Sequence, residues 1–366
     1  MKVPRIDRAV PVRMGEELDP EPLARYLVGN LPGPTERWTG DEDLEVLQFP
    51  SGFSNLTYLI RFGGRDLVLR RPPFGSRVKS AHDMEREYRI LLRLGPVFPK
   101  VPEPLLFCED EEVLGAPFYV MEWVRGEILR PRMDAVEAPD PHRMAAIAKT
   151  FLETLVELHA VDFEAAGLGD LGRPEGYVER QVEGWIGRYR KARTEEIPEM
   201  EAAAGWLAAN RPAESGAGLI HNDFKYDNLV LDPQTGVEVV AVLDWEMATV
   251  GDPLMDLGTS LGYWVDPDDP PELRALQLSP TTIDGNPNRS EIAARYAEVS
   301  GRDVGDLVFY YVYGLFKIAV IVQQIYYRYR KGHTGDPRFE HLDQGVLGCA
   351  RTAVQAIAKG RIDRLF

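Results

Sequence analysis

Three side chains in this sequence have the types and spacing to move a phosphoryl group: Asp223, Asn228 and Asp244. The first two lie in His221-Asn222-Asp223-Phe224-Lys225-Tyr226-Asp227-Asn228, an H-x-D-x-x-x-x-N arrangement that serves phosphoryl transfer elsewhere. Asp244 closes the apolar run Val242-Leu243 and is followed by Trp245-Glu246. Transfer to an alcohol needs in-line placement and neutralised phosphate charge. A carboxylate at 223 can hydrogen-bond the acceptor hydroxyl and take its proton. The amide oxygen of Asn228 and the carboxylate of Asp244 are hard ligands that suit Mg²⁺. Lys225, two residues past Asp223, can reach the γ-phosphate of ATP. His221 reads as a structural residue that holds the loop. Asp256 reads as an acceptor for loop backbone N–H groups, and Asp252, before Pro253, as a helix cap.

These residues need elements to position them. Strand patterns cover Leu44–Phe49, Thr57–Phe62 and Asp66–Arg70, with Pro50-Ser51-Gly52 and Gly63-Gly64 between them, which predicts an antiparallel meander. A helix is predicted over Ser80–Leu94, from Met84, Tyr88, Leu91 and Leu92 at helical spacing. Further strands surround Leu105–Phe107 and Phe118–Met121. Helical patterns then cover Arg143–His159, Tyr177–Arg190 and Glu199–Ala209. Strand-like pieces return at Leu229–Leu231 and Val239–Leu243, and the chain after Pro253 is mostly helical. The order is a small β-lobe, a hinge and a larger α-lobe. We divide it as an N-terminal extension at 1–40, a nucleotide-binding lobe at 41–124, and a lobe at 125–366 with the catalytic loop, a metal site and acceptor-binding helices.

The first lobe has candidates for nucleotide binding. Ser54 and Asn55, in the turn Ser51–Thr57, are small polar residues that let a polyphosphate approach backbone N–H groups closely. Arg70, at the end of a strand, can bridge the nucleotide phosphates, with Arg71 as a competitor. Glu85 and Glu87 lie on different faces of the next helix, so only one can pair with that cation. The Glu122 carbonyl and the Val124 N–H, past the last strand, can hold an adenine edge.

Bulk properties narrow the function classes. A net charge of −16 over 366 residues opposes broad binding to nucleic acid or anionic membranes. Cys108 and Cys349, the two cysteines, form no metal-ligand cluster with the histidines and read as thiols in a reducing cytoplasm. The N-terminus shows no apolar signal region. The apolar run Ile318–Ile325 is far short of the ~20 residues of a membrane span and reads as a buried helix segment.

With these residues in place, the chain resembles the aminoglycoside phosphotransferase family over roughly residues 44–330. The motifs that carry the resemblance are His221-Asn222-Asp223 with Asn228, Asp244-Trp245-Glu246, and Gly251-Asp252-Pro253 with Asp256. It implies an α+β, protein-kinase-like bilobal fold with a small antiparallel sheet in the N-lobe and a mainly helical C-lobe. It implies ATP and Mg²⁺ as cofactors, Asp223 as the catalytic residue, and Asn228 and Asp244 as magnesium ligands. Ser54 matches its phosphate-loop position, Arg70 its strand cation (usually Lys), and Glu87 that cation's partner.

The sequence is similar, more closely, to the kinase domain found fused to some acyl-CoA dehydrogenases. Leu67-Val68-Leu69-Arg70-Arg71-Pro72-Pro73, Ser80–Tyr88 and Phe316–Gly332 suggest this. That subgroup implies a hydroxylated acyl-CoA or similar metabolite as the small-molecule hydroxyl acceptor. From Lys317 to Lys331 there are four cations, Lys317, Arg328, Arg330 and Lys331, and no carboxylate. They can bind an anionic acceptor, or simply complement a helix C-terminus. A polycationic aminoglycoside wants carboxylates instead. The competing readings are an aminoglycoside or other antibiotic kinase and, in another class, a nucleotide-binding protein without catalysis. A protein kinase fits less well, since Gly251-Asp252-Pro253 follows Asp244 almost at once.

Overall fold

The computed structural model describes residues 8–33, 44–50, 55–74, 84–131, 133, 138–276, 278–334 and 336–366. Along the chain run α1 (Pro20–Asn30), β1 (Glu45–Gln48), β2 (Leu56–Phe62), β3 (Arg65–Arg71), α2 (Met84–Leu94), β4 (Pro104–Cys108), α3 (Glu111–Leu114) and β5 (Phe118–Glu122). Then come α4 (Pro141–His159), α5 (Tyr177–Ala192), α6 (Pro198–Ala209), β6 (Gly218–Ile220), β7 (Leu229–Leu231), β8 (Val239–Val242) and β9 (Thr249–Gly251). Last are α7 (Pro253–Tyr263), α8 (Pro271–Ala275), α9 (Arg289–Ser300), α10 (Leu307–Arg330) and α11 (Leu342–Lys359). The chain forms two compact units. One is Met1–Ile128 with Leu229–Glu246, the other Leu129–Asn228 with Met247–Phe366.

The first unit is built on a five-stranded sheet in the order β1-β2-β3-β5-β4, with antiparallel neighbours throughout. The β2–β3 turn uses Gly63 and Gly64, both at positive φ (57° and 74°), the backbone a two-residue hairpin requires. Alternation sends Tyr58, Ile60, Phe62, Leu67 and Leu69 into one core, where Leu23 and Leu27 of α1 cover them. The same pleat separates the two arginines that end β3. Arg71 shares its parity with Leu67 and Leu69, whereas Arg70 lies with Val68 on the other face. The β7–β8 hairpin joins this unit through an antiparallel bridge between Glu127 and Leu231.

Helix α2 is strongly amphipathic. Met84, Glu87, Ile90, Leu91 and Leu94 form its buried stripe. Glu87 therefore sits among apolar positions, and Glu85 is exposed. Residues 80–83 of the predicted helix lie outside the described residues.

The second unit is mainly helical. Its longest helix, α10, has 24 residues and is long and apolar enough to cross a membrane, yet 78% of its most apolar window is buried in the protein. The whole helix thus exceeds the short apolar run seen in the sequence, and it serves as a core helix. It packs against α5, α6, α7 and α11. Against α7 the two backbones nearly touch: a Cβ added at Gly314 would lie 2.0 Å from the Gly258 carbonyl oxygen. The strands β6 and β9 pair antiparallel, with Ile220 opposite Thr249. These three-residue strands escaped the sequence reading because they are too short to show alternation. Both cysteines are buried free thiols.

Candidate active site

In the helical unit the catalytic-motif loop leaves β6 and passes over the start of α7. Asp252 caps α7 by accepting from the Leu254 N–H at 2.9 Å. One turn on, the fully buried Asp256 accepts from the backbone N–H groups of His221 and Asn222, both at 2.7 Å. Its Oδ2 also lies 3.1 Å from His159 Nε2. Burial raises the Asp256 pKa, but the hydrogen bond and charge of His159 outweigh it and hold the carboxyl below its usual range. Asp256 thus ties the loop to α7, as its place in the sequence suggested. His221 is structural too: its Nδ1 accepts from the Asp223 N–H at 3.2 Å.

Asn222 has φ 67°, a left-handed conformation uncommon for a residue with a side chain. Several partners hold it there. Its amide donates to the Met247 carbonyl at 3.1 Å and the Tyr177 hydroxyl at 3.2 Å. Lys317 Nζ donates to its carbonyl at 2.7 Å and lies 3.3 Å from its Oδ1. Strain of this kind persists where the surroundings over-determine it and gathers at functional sites.

Asp223 projects from this held loop. Its Oδ2 lies 2.9 Å from Lys225 Nζ and accepts from Asn228 Nδ2 at 2.9 Å. Asn228 Nδ2 also donates to the Asp223 carbonyl at 2.9 Å. Burial pushes the Asp223 carboxyl up, but the Lys225 charge and a hydrogen bond from Tyr263 overcome this, so its pKa lies below the ordinary value. A carboxylate in that state is ionised at neutral pH and can accept a proton. With Nδ2 engaged, Asn228 presents its Oδ1, a hard oxygen ligand. Asp227, unassigned from sequence, pairs with Arg130 at 2.8 Å.

The sheet-bearing unit holds the other motif. Asp244, at φ 68°, is again left-handed. Its Oδ1 lies 2.9 Å from Arg70 Nη2, and Arg70 Nε lies 3.3 Å from Glu87 Oε2. Glu87 Oε1 accepts from the Trp245 N–H at 3.2 Å. Of the paired candidates, Arg70 and Glu87 are thus the two brought together. Arg71 is buried against the Phe74 ring instead, and burial lowers its pKa. Burial pushes Glu87 up, while Arg70 opposes it. Arg70 stays a guanidinium: burial works against its charge, but Glu87, Tyr119, Asp244 and Glu246 raise its pKa well above the ordinary value.

Asn55 donates to Glu246 Oε2 at 2.8 Å. Ser54 lies outside the described residues. Glu122 is half-buried with its carboxylate on Arg65, and Val124 follows two residues past the end of β5. Among the described residues, no three His, Cys, Asp or Glu side chains form a preformed metal cluster. Mg²⁺ takes few protein oxygens and completes its shell with water and phosphate, and Asn228 in the helical unit and Asp244 in the sheet-bearing unit each carry a hard oxygen.

Beside the 221–228 loop, within the helical unit, lies a cavity of about 380 Å³. Tyr177, Arg180, Gln181, Trp185 and Arg188 of α5 line it, with Arg173, Asn222, Met247, Thr249 and Lys317. Lys317, proposed from sequence, is therefore placed there. Arg328, Arg330 and Lys331 are not in the lining: eleven residues of helix from Lys317 to Arg328 rise about 16 Å. Arg330 instead donates to the Tyr326 hydroxyl at 2.8 Å, and Lys331 lies over the Tyr327 ring. Sequence reasoning missed Tyr177, Tyr263, Arg173, Arg180 and Arg188. The signal was present for α5, where 177, 181, 185 and 188 recur at helical spacing on one face.

The model of the phosphotransferase enzyme family (APH) matches residues 45–289. Acyl-CoA dehydrogenase family member 10 of Mus musculus is 38% identical over 321 residues, covering 87% of this chain and 29% of that protein. Acyl-CoA dehydrogenase family member 11 of Homo sapiens is 34% identical over 321 residues, 87% of this chain and 40% of that protein. The chain thus spans less than half the length of these curated relatives. A crystal structure of a candidate aminoglycoside phosphotransferase from Ralstonia eutropha JMP134 superposes with a TM-score of 0.75 at 30% identity, covering 93% of this chain and 99% of that one. The ternary complex of aminoglycoside phosphotransferase APH(4)-Ia with AMP-PNP and hygromycin B gives a TM-score of 0.56 at 16% identity, covering 92% and 99%. That likeness shows the fold alone. The fold is the α+β, protein-kinase-like bilobal one that the motifs implied. The chain belongs to the APH phosphotransferase enzyme family and is a small-molecule phosphotransferase.

Proposed function

We propose that this chain transfers the γ-phosphoryl group of ATP, in a Mg²⁺-dependent reaction, to a hydroxyl of a small anionic metabolite, with a hydroxylated acyl-CoA or a related compound as acceptor. The ionised Asp223, fixed between Lys225 and Asn228, carries the reading. Asp223 orients the acceptor hydroxyl and receives its proton as the new oxygen–phosphorus bond forms and the bond from the γ-phosphorus to the ADP oxygen breaks, releasing ADP. Lys225 offsets charge on the transferring group. Arg70, held by Glu87, binds nucleotide phosphates, with Ser54 and Asn55 in the phosphate loop and Glu122 and Val124 at the adenine edge. Asn228 and Asp244 would hold Mg²⁺, which neutralises phosphate charge when bound. The reaction takes place in the cytoplasm, in keeping with the two free thiols.

The acceptor class is supported by the relatives, whose names join a homologous region to an acyl-CoA dehydrogenase. The test is an ADP-release screen with Mg·ATP over hydroxyacyl-CoAs, sugars, amino alcohols and aminoglycosides, with each product weighed for an added phosphate. We expect phosphorylation of an anionic hydroxyl compound. Efficient phosphorylation of aminoglycosides with none of anionic acceptors would replace the acyl-CoA reading by the antibiotic one. ATP binding with no transfer to any hydroxyl would favour the non-catalytic reading.

A further inference from the structure

The cavity beside the catalytic loop has an unusual charge for this protein. Its lining carries four cations, Arg173, Arg180, Arg188 and Lys317, and no Asp or Glu, in a chain of net charge −16. Its volume, about 380 Å³, lies in the range of small-molecule pockets.

The cations are arranged to receive a ligand. Arg188 lies over the Trp185 ring, 4.5 Å from its centroid, and stacking on its face leaves the N–H edge of a guanidinium for an oxyanion. Arg180 is anchored by hydrogen bonds to the Glu175 and Arg173 carbonyls, which holds its guanidinium in place in the lining. Among the described residues none of the three arginines pairs with a carboxylate, although other surface arginines here do. Lys317 is buried and adds a fourth cation to the lining. Tyr177 and Trp185 supply apolar wall. The cavity also reaches Asn222, the residue before Asp223.

We infer that this cavity is the oxyanion subsite of the acceptor: Arg173, Arg180 and Arg188 grip a carboxylate or phosphate while Asn222 and Lys317 border the end nearest Asp223. This rests on the phosphotransferase reading for what the bound molecule is used for, but the anion site itself does not depend on turnover. It also moves acceptor recognition from the end of α10 to α5.

The test is calorimetric titration of the full chain, saturated with Mg·AMP-PNP, with inorganic phosphate, succinate, coenzyme A and kanamycin. The variants are R188Q and R173Q/R180Q/R188Q. We expect the wild-type protein to bind at least one of the anions and not kanamycin. Losing one charge-assisted contact should weaken binding about tenfold, and the triple variant should weaken it further with AMP-PNP affinity unchanged. Tighter binding of succinate or of the phosphate compounds identifies the oxyanion as carboxylate or phosphate. No anion binding, equal binding by wild type and triple variant, or tighter binding of kanamycin overturns the inference. All three arginines are exposed, so folding should persist; R188Q alone gives the answer if the triple variant does not fold. Should AMP-PNP itself fail to bind, the phosphotransferase reading falls, and titration of the nucleotide-free protein still reports on the arginines.

Discussion

At the scale of single residues, the motif positions work because other residues hold them in place. Asn222 and Asp244 both adopt left-handed backbone conformations. One is fastened by Tyr177, Met247 and Lys317, the other by Arg70. Lys317 gives a prediction about pH. Burial lowers its ammonium to about 8, and Asp256 and Asp223 only partly offset this. The unfolded chain therefore keeps this proton to higher pH than the folded one. From about pH 8 up to the ordinary lysine value, this group's contribution to stability rises with pH, by at most about 1.4 kcal/mol per unit. Urea denaturation of wild type and Lys317→Met between those limits should show the difference moving in favour of wild type as pH rises. A constant difference would mean that the folded protein does not release this proton. Asp223, Asn228, Asp244 and Arg70 were legible as candidates from type and spacing. Arg70 over Arg71 and Glu87 over Glu85 rested on the family resemblance, since those choices depend on which side of the sheet α2 covers.

At the scale of elements, most strands and helices followed from local pattern. Alternation announced β2, β3 and β5, and helical spacing announced α2, α4, α5 and α6. What stayed hidden depends on partners distant in sequence. The strands β6 and β9 exist only as a pair, three residues each. The α5 arginines went unremarked, because the cavity they line is completed by residues distant in sequence, Asn222, Met247, Thr249 and Lys317. The close approach of α7 and α10 was likewise invisible, although it fixes the loop through Asp256 on one helix and Lys317 on the other. Gly258 and Gly314 permit it: a Cβ at Gly258 would lie 2.2 Å from the Tyr310 carbonyl oxygen. Backbone atoms cannot yield as a flexible side chain does, so Gly314→Ala should destabilise by about 2 kcal/mol or more, read from the urea midpoint. A stability change below about 0.5 kcal/mol would show that the helices can separate at little cost.

At the scale of the whole molecule, composition excluded broad classes but could not name an acceptor. The net charge of −16 describes the surface on average, whereas the cavity beside Asn222 has the opposite sign. Leu229–Glu246 returns to the sheet-bearing unit through long-range contacts, among them the Glu127–Leu231 bridge, Arg70 with Asp244 and Glu87 with Trp245, which no local pattern announces. In the proposed reaction this molecule moves phosphate from ATP to a small hydroxyl compound with Asp223 as the base. The most direct measurement follows label from γ-³²P-ATP into small-molecule product, for wild type and Asp223→Asn, with AMP-PNP affinity measured on both. We expect labelled product from wild type, a fall of about 10²–10⁴ in rate for the variant, and nearly equal AMP-PNP affinity. Transfer by Asp223→Asn at the wild-type rate would contradict this role of Asp223.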